Sequence, residues 1–480
     1  MKRSKFNLSY TKLASCDLGE LIPLGLIEVL PGDSMQISTS ALVRCSALLA
    51  PAMHPVQVSI HHWFVPNRLV WDNWERFITG GADGLNAETV PTLTLGGGSG
   101  AAVGSLADYL GVPPGVNNLV VSALPFRGYS LIWNENYRDQ DLQTPLVVST
   151  ANGPDTTTNT VLQNCDWEKD YFTSARPWEQ KGASVSIPLA GPAPVIVTES
   201  GQGTKTLQRG GAGAGAQVQL TQSGGGGGNA LSFAADLSGV SAVTINALRQ
   251  ASAIQRFQEM RARYGSRYTE YLAALGVRSS DARLSRPEYL GGGRQTLQFS
   301  EVLQTAEGAN PVGEVRGHGI TALRSNRVRP FFEEHGYVFT LMFVRPKTIY
   351  ANGLFRHWNR RTKLDYWQRE LQHIGQQPVL NKEVYAAHAS PDGTFGYQDR
   401  YDEYRRSESL VAAEFRTSLL DYWHFARIFG SSPALNATFV SCVPAERPFA
   451  VPSEDVLQVS ARHSIGARRL VAREGTSFLS

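Results

Sequence analysis

The sequence has no long apolar run. Nowhere do about 18 consecutive apolar residues occur, the length a helix needs to cross a bilayer, so no membrane span is expected. Cysteine is scarce. Cys16, Cys45, Cys165 and Cys442 lie far apart, with neither CxxC nor His-rich metal spacing, which argues against a metal site and against a disulfide framework. Four reduced thiols in a cytoplasmic fold are expected. Charge is sparse as well: 18% of residues are charged and the formal net charge is +3. A chain built mainly to bind nucleic acid would carry a large basic surplus, so that class is excluded, although a locally basic face is not. The start, MKRSKFNLSYTKLASCDLG, is basic but lacks the apolar segment of a signal peptide. Recognisable catalytic patterns are missing too. Neither GxxxxGK[ST] nor GxGxxG between strand and helix is present, and GxSxG and HExxH are absent. Asp365, Glu370, Asp399, Asp402 and Glu403 have no spacing that selects them as an acid–base pair. His61 and His62 are neighbours on an expected strand and so point to opposite faces, which keeps them from sharing one ion. No cofactor, metal or catalytic centre is expected.

What is abundant is turn-forming and aromatic. The 480 residues include 46 Gly, 25 Pro and 9 Trp, which suits a mainly β architecture with many loops and large interfaces. Strands are expected over 21–30, 35–49 and 56–65, the last alternating with Val56, Val58, Ile60, His62 and Phe64 on one face. Tyr337–Arg345 is apolar on both faces, as a buried strand would be. Further strands are expected over 437–443 and within 455–471. Trp71, Trp74 and Phe77 predict a short helix over 71–77, and Ile132, Trp133, Tyr137 and Leu142 predict another over 129–142. The strongest helical pattern runs over 244–275, with Gly265 able to divide it and Gly276 to end it. Glycine dominates 199–230, where Gly210 and Gly211 precede the run Gly224, Gly225, Gly226, Gly227 and Gly228. Ordering a backbone costs about 1–2 kcal/mol per residue, and this stretch has little apolar surface to offset it. An exposed tip is therefore expected there. Gly291–Gly293 is expected to close the excursion. Strands near both ends with long, partly helical insertions between them outline a β sandwich such as a jelly roll.

One segment combines cations with aromatics. Residues 354–369 hold Arg356, Trp358, Arg360, Arg361, Lys363 and Trp367, along with His357, Tyr366 and Arg369. Cations can clamp phosphates while rings stack on bases, so single-stranded DNA is one candidate ligand. A subunit interface, equally rich in Arg, Trp and Tyr, is the other and the stronger. Lesser basic stretches are Arg462, His463, Arg468, Arg469 and Arg473, and Lys2, Arg3 and Lys5. A glycan-binding lectin or a β-sandwich hydrolase would also suit the fold, but the hydrolase needs a convergent catalytic set that the sequence does not provide.

Several strings, in order, resemble the major capsid protein of the Microviridae, closest to the gokushovirus-like branch. They are GELIPLGLIEVLPGDS (Gly19–Ser34), WFVPNRLVWDNWERFITGG (Trp63–Gly81), IWNENYRDQDLQTPL (Ile132–Leu146), DWEKDYFTSARPW (Asp166–Trp178) and TINALRQASAIQRFQE (Thr244–Glu259). SRYTEYLAALGVRSSDARLSRPEYLGGG (Ser266–Gly293), EHGYVFTLMFVRP (Glu334–Pro346), HIGQQPVLNKEVYA (His373–Ala386) and FGYQDRYDEYRR (Phe395–Arg406) complete the set. The resemblance implies a mainly β fold, an eight-stranded viral jelly roll with long, partly helical loop insertions. It implies one capsid domain over 1–480, with a loop-and-helix insertion at 79–180 and an excursion at 199–293. That excursion carries the Gly-rich tip (199–230, including Gly210, Gly211, Gly224, Gly226 and Gly228) and the helix 244–275. It also implies a virion protein, assembled in the host bacterial cytoplasm, that forms pentamers and then an icosahedral T=1 shell of about sixty copies. Implied partners are packaged single-stranded DNA, a small basic DNA-binding protein, a DNA pilot protein, an internal scaffolding protein and a host surface receptor. The Gly-rich segment stands where the variable host-facing insertion is expected, but is shorter than in some relatives.

Overall fold

The computed structural model describes residues 3–82, 85–96, 100–183, 185, 195–199, 202–206, 231–235, 245–264, 273, 285–305 and 311–473. Two compact units divide the chain: residues 1–179 with 265–480 form one, and 180–264 the other. The first holds the strands β1 (Ser4–Asn7), β2 (Tyr10–Cys16), β3 (Ile22–Val29), β4 (Ser34–Cys45), β5 (Val56–Pro66), β6 (Thr92–Leu95) and β7 (Leu119–Ser122). In the second, β8 (Val195–Glu199), β9 (Gln202–Thr206) and β10 (Leu231–Ala235) form a small antiparallel sheet in the order β10-β8-β9. The main unit resumes with β11 (Glu288–Leu303), β12 (Val315–Arg324), β13 (Gly336–Pro346), β14 (Gln376–Leu380), β15 (Thr394–Asp399) and β16 (Leu457–Arg469).

The jelly roll is legible in the strand order, β1-β16-β4-β12-β11-β5-β13-β3, with β2 also paired to β16. Residues 288–297 of β11 pair with β5, and 298–303 pair with β12. One long strand thus belongs to two half-sheets: β2, β16, β4 and β12 on one side, β3, β13, β5 and β11 on the other. From β2 to β5 each strand joins the half opposite its predecessor, and β13 and β16 again lie in opposite halves. Val43, Val459 and Ala461 from the first half meet Ile22, Val58, Ile60 and Met342 from the second in one apolar core, so the halves face each other. Gly291–Gly293 lies inside β11 and does not end the excursion. A Cβ on Gly293 would stand 2.9 Å from the Arg324 carbonyl oxygen, so only glycine lets β11 pass the end of β12 this closely.

Polar side chains cross the core between the halves. His463 of β16 donates from Nε2 to the Leu24 carbonyl of β3 (3.1 Å), while its Nδ1 meets the Thr39 hydroxyl of β4 (2.9 Å). The Thr39 N–H donates to the Ser325 hydroxyl (2.8 Å), which lies 3.0 Å from His62 Nε2 on β5. His62 Nδ1 in turn lies 3.0 Å from the Thr340 hydroxyl on β13. Every side chain in this relay is buried. Burial pushes both imidazoles down to about 4, so they are neutral in the fold.

The expectation for 56–65 needs correcting: β5 is buried on both faces. Trp63 and Val65 point away from the sandwich core into a second one, with Phe339, Leu341 and Phe343 of β13. The insertion after β5 roofs this face. It carries the helices α2 (Leu106–Leu110) and α3 (Leu124–Asn136), of which α3 presses Phe126, Tyr129, Ile132 and Trp133 onto this face, and a Cβ on Gly128 would approach the Phe339 ring to 2.7 Å. The buried Arg127 guanidinium ties α3 to Asp155 (2.8 Å) and to the Val70 and Ala151 carbonyls. α3 starts earlier than the predicted 129–142 because Pro125 suits a helix's first turn, and it stops before Asp139, whose carboxylate accepts from the Asp141 and Leu142 N–H groups. The helix α1 spans Trp74–Thr79 and ends on Gly80 at φ 82°, yet the Trp71, Trp74 and Phe77 rings do contact one another.

Other expectations shift at their ends. The helix α4 spans Ile245–Tyr264, and Gly265 and Gly276, where a division and an end are expected, lie outside the described residues. Leu248, Ile254 and Phe257 of its apolar stripe are exposed. The 437–443 strand is wrong: Ala437–Val440 is one helical turn, because the Asn436 side chain accepts from the Phe439 N–H and caps it. Within 455–471 lies one long strand, β16 (Leu457–Arg469). Strand β9 lies within the Gly-rich stretch, where composition predicts only an exposed tip.

The relay sets a pH dependence. The ordinary imidazole value of 6.5 drops to about 4 on folding, so the unfolded chain binds the extra protons. The histidine contribution is complete above pH 6.5 and is lost as pH falls towards 4. In His463→Gln that contribution disappears at one site. The stability gap between the natural protein and the variant, read from denaturation midpoints, should narrow from pH 7 to pH 4.5. A gap independent of pH would mean that His463 is not held neutral.

Candidate interface segment

Residues 354–369 lie in the second insertion, between β13 and β16. The paired strands β14 and β15 support it, and behind them Phe172, Tyr350, Val379, Phe395 and Phe439 form a separate apolar cluster. The segment folds as short 3-10 turns, Arg356–Asn359 and Lys363–Asp365. Asp365 explains the second turn: its carboxylate accepts from the Arg361 and Thr362 N–H groups at 2.9 and 2.7 Å, and these bonds hold it below the usual carboxylate range. Tyr401 and Tyr404 hold the far end, with their hydroxyls accepting from the N–H groups of Gln368 and Trp367.

The named residues separate into two rows. In the inner row, Arg356 donates to Glu383 (2.9 Å) and to the Pro378 carbonyl (2.7 Å), and lies 3.7 Å from Glu403. Arg360 lies 3.5 Å from Glu403, with its guanidinium 4.2 Å from the Tyr404 ring centre and 5.5 Å from that of Tyr366. Burial raises the Glu383 carboxyl, and the Arg356 charge opposes that rise. Both arginines are already paired with carboxylates within the subunit, and Arg360 is also stacked on tyrosine rings. The outer row faces solvent: Trp358 is 70% exposed, Trp367 52% and Tyr366 53%, beside the exposed Arg361 and Lys363.

Glu383 was not singled out from the sequence. The signal available was its place on the helical turn Asn381–Val384, where its carboxylate also accepts from the Leu380 N–H (2.9 Å). The C-terminal basic stretch divides by strand alternation: His463 is buried, Arg469 pairs with Asp33 at 2.9 Å, and Arg462 and Arg468 are exposed. Gly210, Gly211, Gly224, Gly226 and Gly228 lie outside the described residues. Among the described residues, no group of three His, Cys, Asp or Glu side chains could hold a metal ion. The four cysteines are buried and unpaired, and no described helix is long and apolar enough to cross a membrane.

Residues 1–477 match the family model described as "Capsid protein (F protein)". The chain belongs to this capsid protein family. It is 38% identical to capsid protein VP1 of Bdellovibrio phage phiMH2K, over 94% of this chain and 90% of that one. It is 33% identical to VP1 of Chlamydia phage 1 (95% and 92% covered) and 32% identical to VP1 of Spiroplasma virus 4 (91% and 87%). The resemblance to the gokushovirus-like Microviridae is thereby borne out, and with it the reading as a major capsid protein rather than an enzyme.

The two rows predict opposite stability effects. Glu383→Ala leaves Arg356 without its nearest partner and should destabilise the subunit by about 3 kcal/mol. Arg361→Ala should stay within about 0.5 kcal/mol of the natural protein. Denaturant midpoints of the purified chain measure both.

Proposed function

We propose that this chain is the shell-forming subunit of a small icosahedral phage, assembling through pentamers into a T=1 particle of about sixty copies, the closed solution for one subunit type. The contents would be circular single-stranded DNA. A small basic DNA-binding protein would supply the counter-charge that a subunit of net charge +3 cannot. A DNA pilot protein and an internal scaffolding protein complete the proposed assembly, formed in the host bacterial cytoplasm. The Gly-rich segment 199–230 would face the host receptor, on the strength of its composition.

The observation that carries this reading is the outer row of 354–369. Trp358, Leu364, Tyr366 and Trp367 are each more than half exposed above a lattice whose arginines are already paired with carboxylates. So much aromatic surface on a rigid frame suits burial against a neighbouring subunit. Because Arg356 and Arg360 are neutralised by Glu383 and Glu403, they have little charge left for phosphate, which favours subunit contact over DNA contact here. The exposed stripe Leu248, Ile254 and Phe257 on α4 fits contacts between copies in the same way.

Trp358→Ala with Trp367→Ala tests it. The double variant should remain a folded subunit with an unchanged far-ultraviolet spectrum. Its yield of closed particles, counted by sedimentation and negative-stain microscopy, should fall at least tenfold. Normal particle yield with altered DNA content would instead assign the row to the genome.

A further inference from the structure

The jelly roll has two outer faces and they differ. The face of β5 and β13 lies under the roof of α3 and its loops. The outer face of β1, β2, β16, β4 and β12 has no helix packed across it among the described residues; Val103, Gly104 and Asp108 border it only beside Leu13 and Leu42. Strand register fixes which side chains stand on it. Gln458, Ser460, Arg462 and Arg468 of β16 lie opposite Arg44, Leu42, Ser40 and Ser34 of β4, and opposite Ser15, Leu13, Thr11 and Lys5 on the other flank. The pairing Ser40↔Arg324 carries the face onto β12, and the bridge Ile37↔Val328 brings Arg329 beside Gln36.

Every charged residue on these register positions is basic. Lys5, Arg44, Arg324, Arg329, Arg462 and Arg468 are exposed, and none has an ion-pair partner among the described residues. Arg316, further along β12, pairs with Glu314 at 2.6 Å. The carboxylates nearby are marginal: Asp455 bonds Ser15 at one end, and Asp108 lies beyond the β2 edge near Lys12. The chain's formal net charge is only +3, so these six cations exceed it and the rest of the subunit is net acidic. Between them stand serine, threonine and glutamine, which donate hydrogen bonds, and the exposed Leu13 and Leu42. The aromatic side chain at its margin, Phe331, is half exposed, with the Arg3 guanidinium 5.2 Å from its ring centre.

From this we infer that the outer face of the β1-β16-β4-β12 half-sheet contacts the phosphodiester backbone of the packaged nucleic acid, and so looks into the shell. The inference rests on the shell function proposed above. Isolated cations with hydroxyl and amide donors, and a single ring only at the margin, suit phosphate oxygens rather than bases, so binding is independent of sequence. A face whose strand positions carry cations and no carboxylate also repels a basic partner protein, leaving it to compete for DNA rather than coat this sheet. Strands keep these charges at fixed spacing, whereas the 354–369 segment has already used its arginines within the subunit.

The test uses the full-length chain with Arg462→Ser and Arg468→Ser combined, beside Arg462→Lys with Arg468→Lys. Anisotropy of a labelled oligothymidylate is followed over a salt series, and the absorbance ratio at 260 and 280 nm is read on purified particles. The serine pair should lower the salt-dependence slope by about 0.7 for each phosphate no longer held, so about 1.4 in all. It should also lower DNA content with particle yield and thermal midpoint unchanged, while the lysine pair keeps both slope and DNA. Particles of the serine pair with normal DNA and an unchanged slope would overturn the inference and leave the shell function standing. Polyglutamate displacing the oligothymidylate at equal charge, with loss of particles in the serine pair, would make the face an acidic-protein contact and also overturn it. If the natural chain forms no closed particles, the shell reading fails, and the slope on the subunit alone still decides whether this face binds phosphates.

Discussion

The hydrogen-bond relay from Leu24 through His463, Thr39 and Ser325 to His62 and Thr340 is the constraint on which the sandwich depends. Apolar contacts alone would let the half-sheets slide, since Val, Ile and Leu pack acceptably in several registers. A buried imidazole does not tolerate that freedom. A one-residue slip of β16 or β5 would turn His463 or His62 outward and leave buried hydroxyls unpaired, at about 1–3 kcal/mol for each. The relay touches β3, β4, β5, β13, β16 and the end of β12, so it locks both halves at once.

Once register is locked, the two outer faces acquire opposite characters. On β5 and β13, Trp63, Val65, Phe339 and Leu341 face outward and demand a cover, which α3 and its loops provide. On β16 and β4 the outward positions are Ser, Gln, Leu and Arg, and they need none from within the subunit. A subunit roofed on one side and basic on the other has a built-in polarity, which a closed shell requires of its building block.

The second insertion follows another logic. Its cluster around Phe172, Tyr350 and Phe439 is crowned by Arg427, whose guanidinium lies 4.1 Å from the Phe439 ring centre. The Arg356, Glu383, Arg360 and Glu403 lattice spends its charge internally. Rigidity is gained there, and the outer tryptophans stand on a preorganised base that loses little entropy on contact.

Local patterning alone was enough to locate Tyr337–Arg345 as a doubly buried strand, a helix over Ile245–Tyr264 within the expected 244–275, and the family, because nine ordered strings survive in one dimension. It misread 437–443, where a side-chain cap outweighs β-branched composition, and Gly291–Gly293, where glycines mark a close crossing rather than a loop. In 354–369 it found the right residues but not their division, because charge pairing with Glu383 and Glu403 depends on loops distant in sequence. The basic sheet face was invisible for the same reason. Lys5, Arg44, Arg324, Arg329, Arg462 and Arg468 come from both ends and the middle of the chain, and only hydrogen-bonded register sets them side by side. Composition and periodicity thus determined the class of fold and its membership of the capsid family, since both are local properties. Which cations are neutralised and which remain free to meet a partner was decided only by the tertiary structure, since electrostatic pairing depends on distance in space and not along the chain.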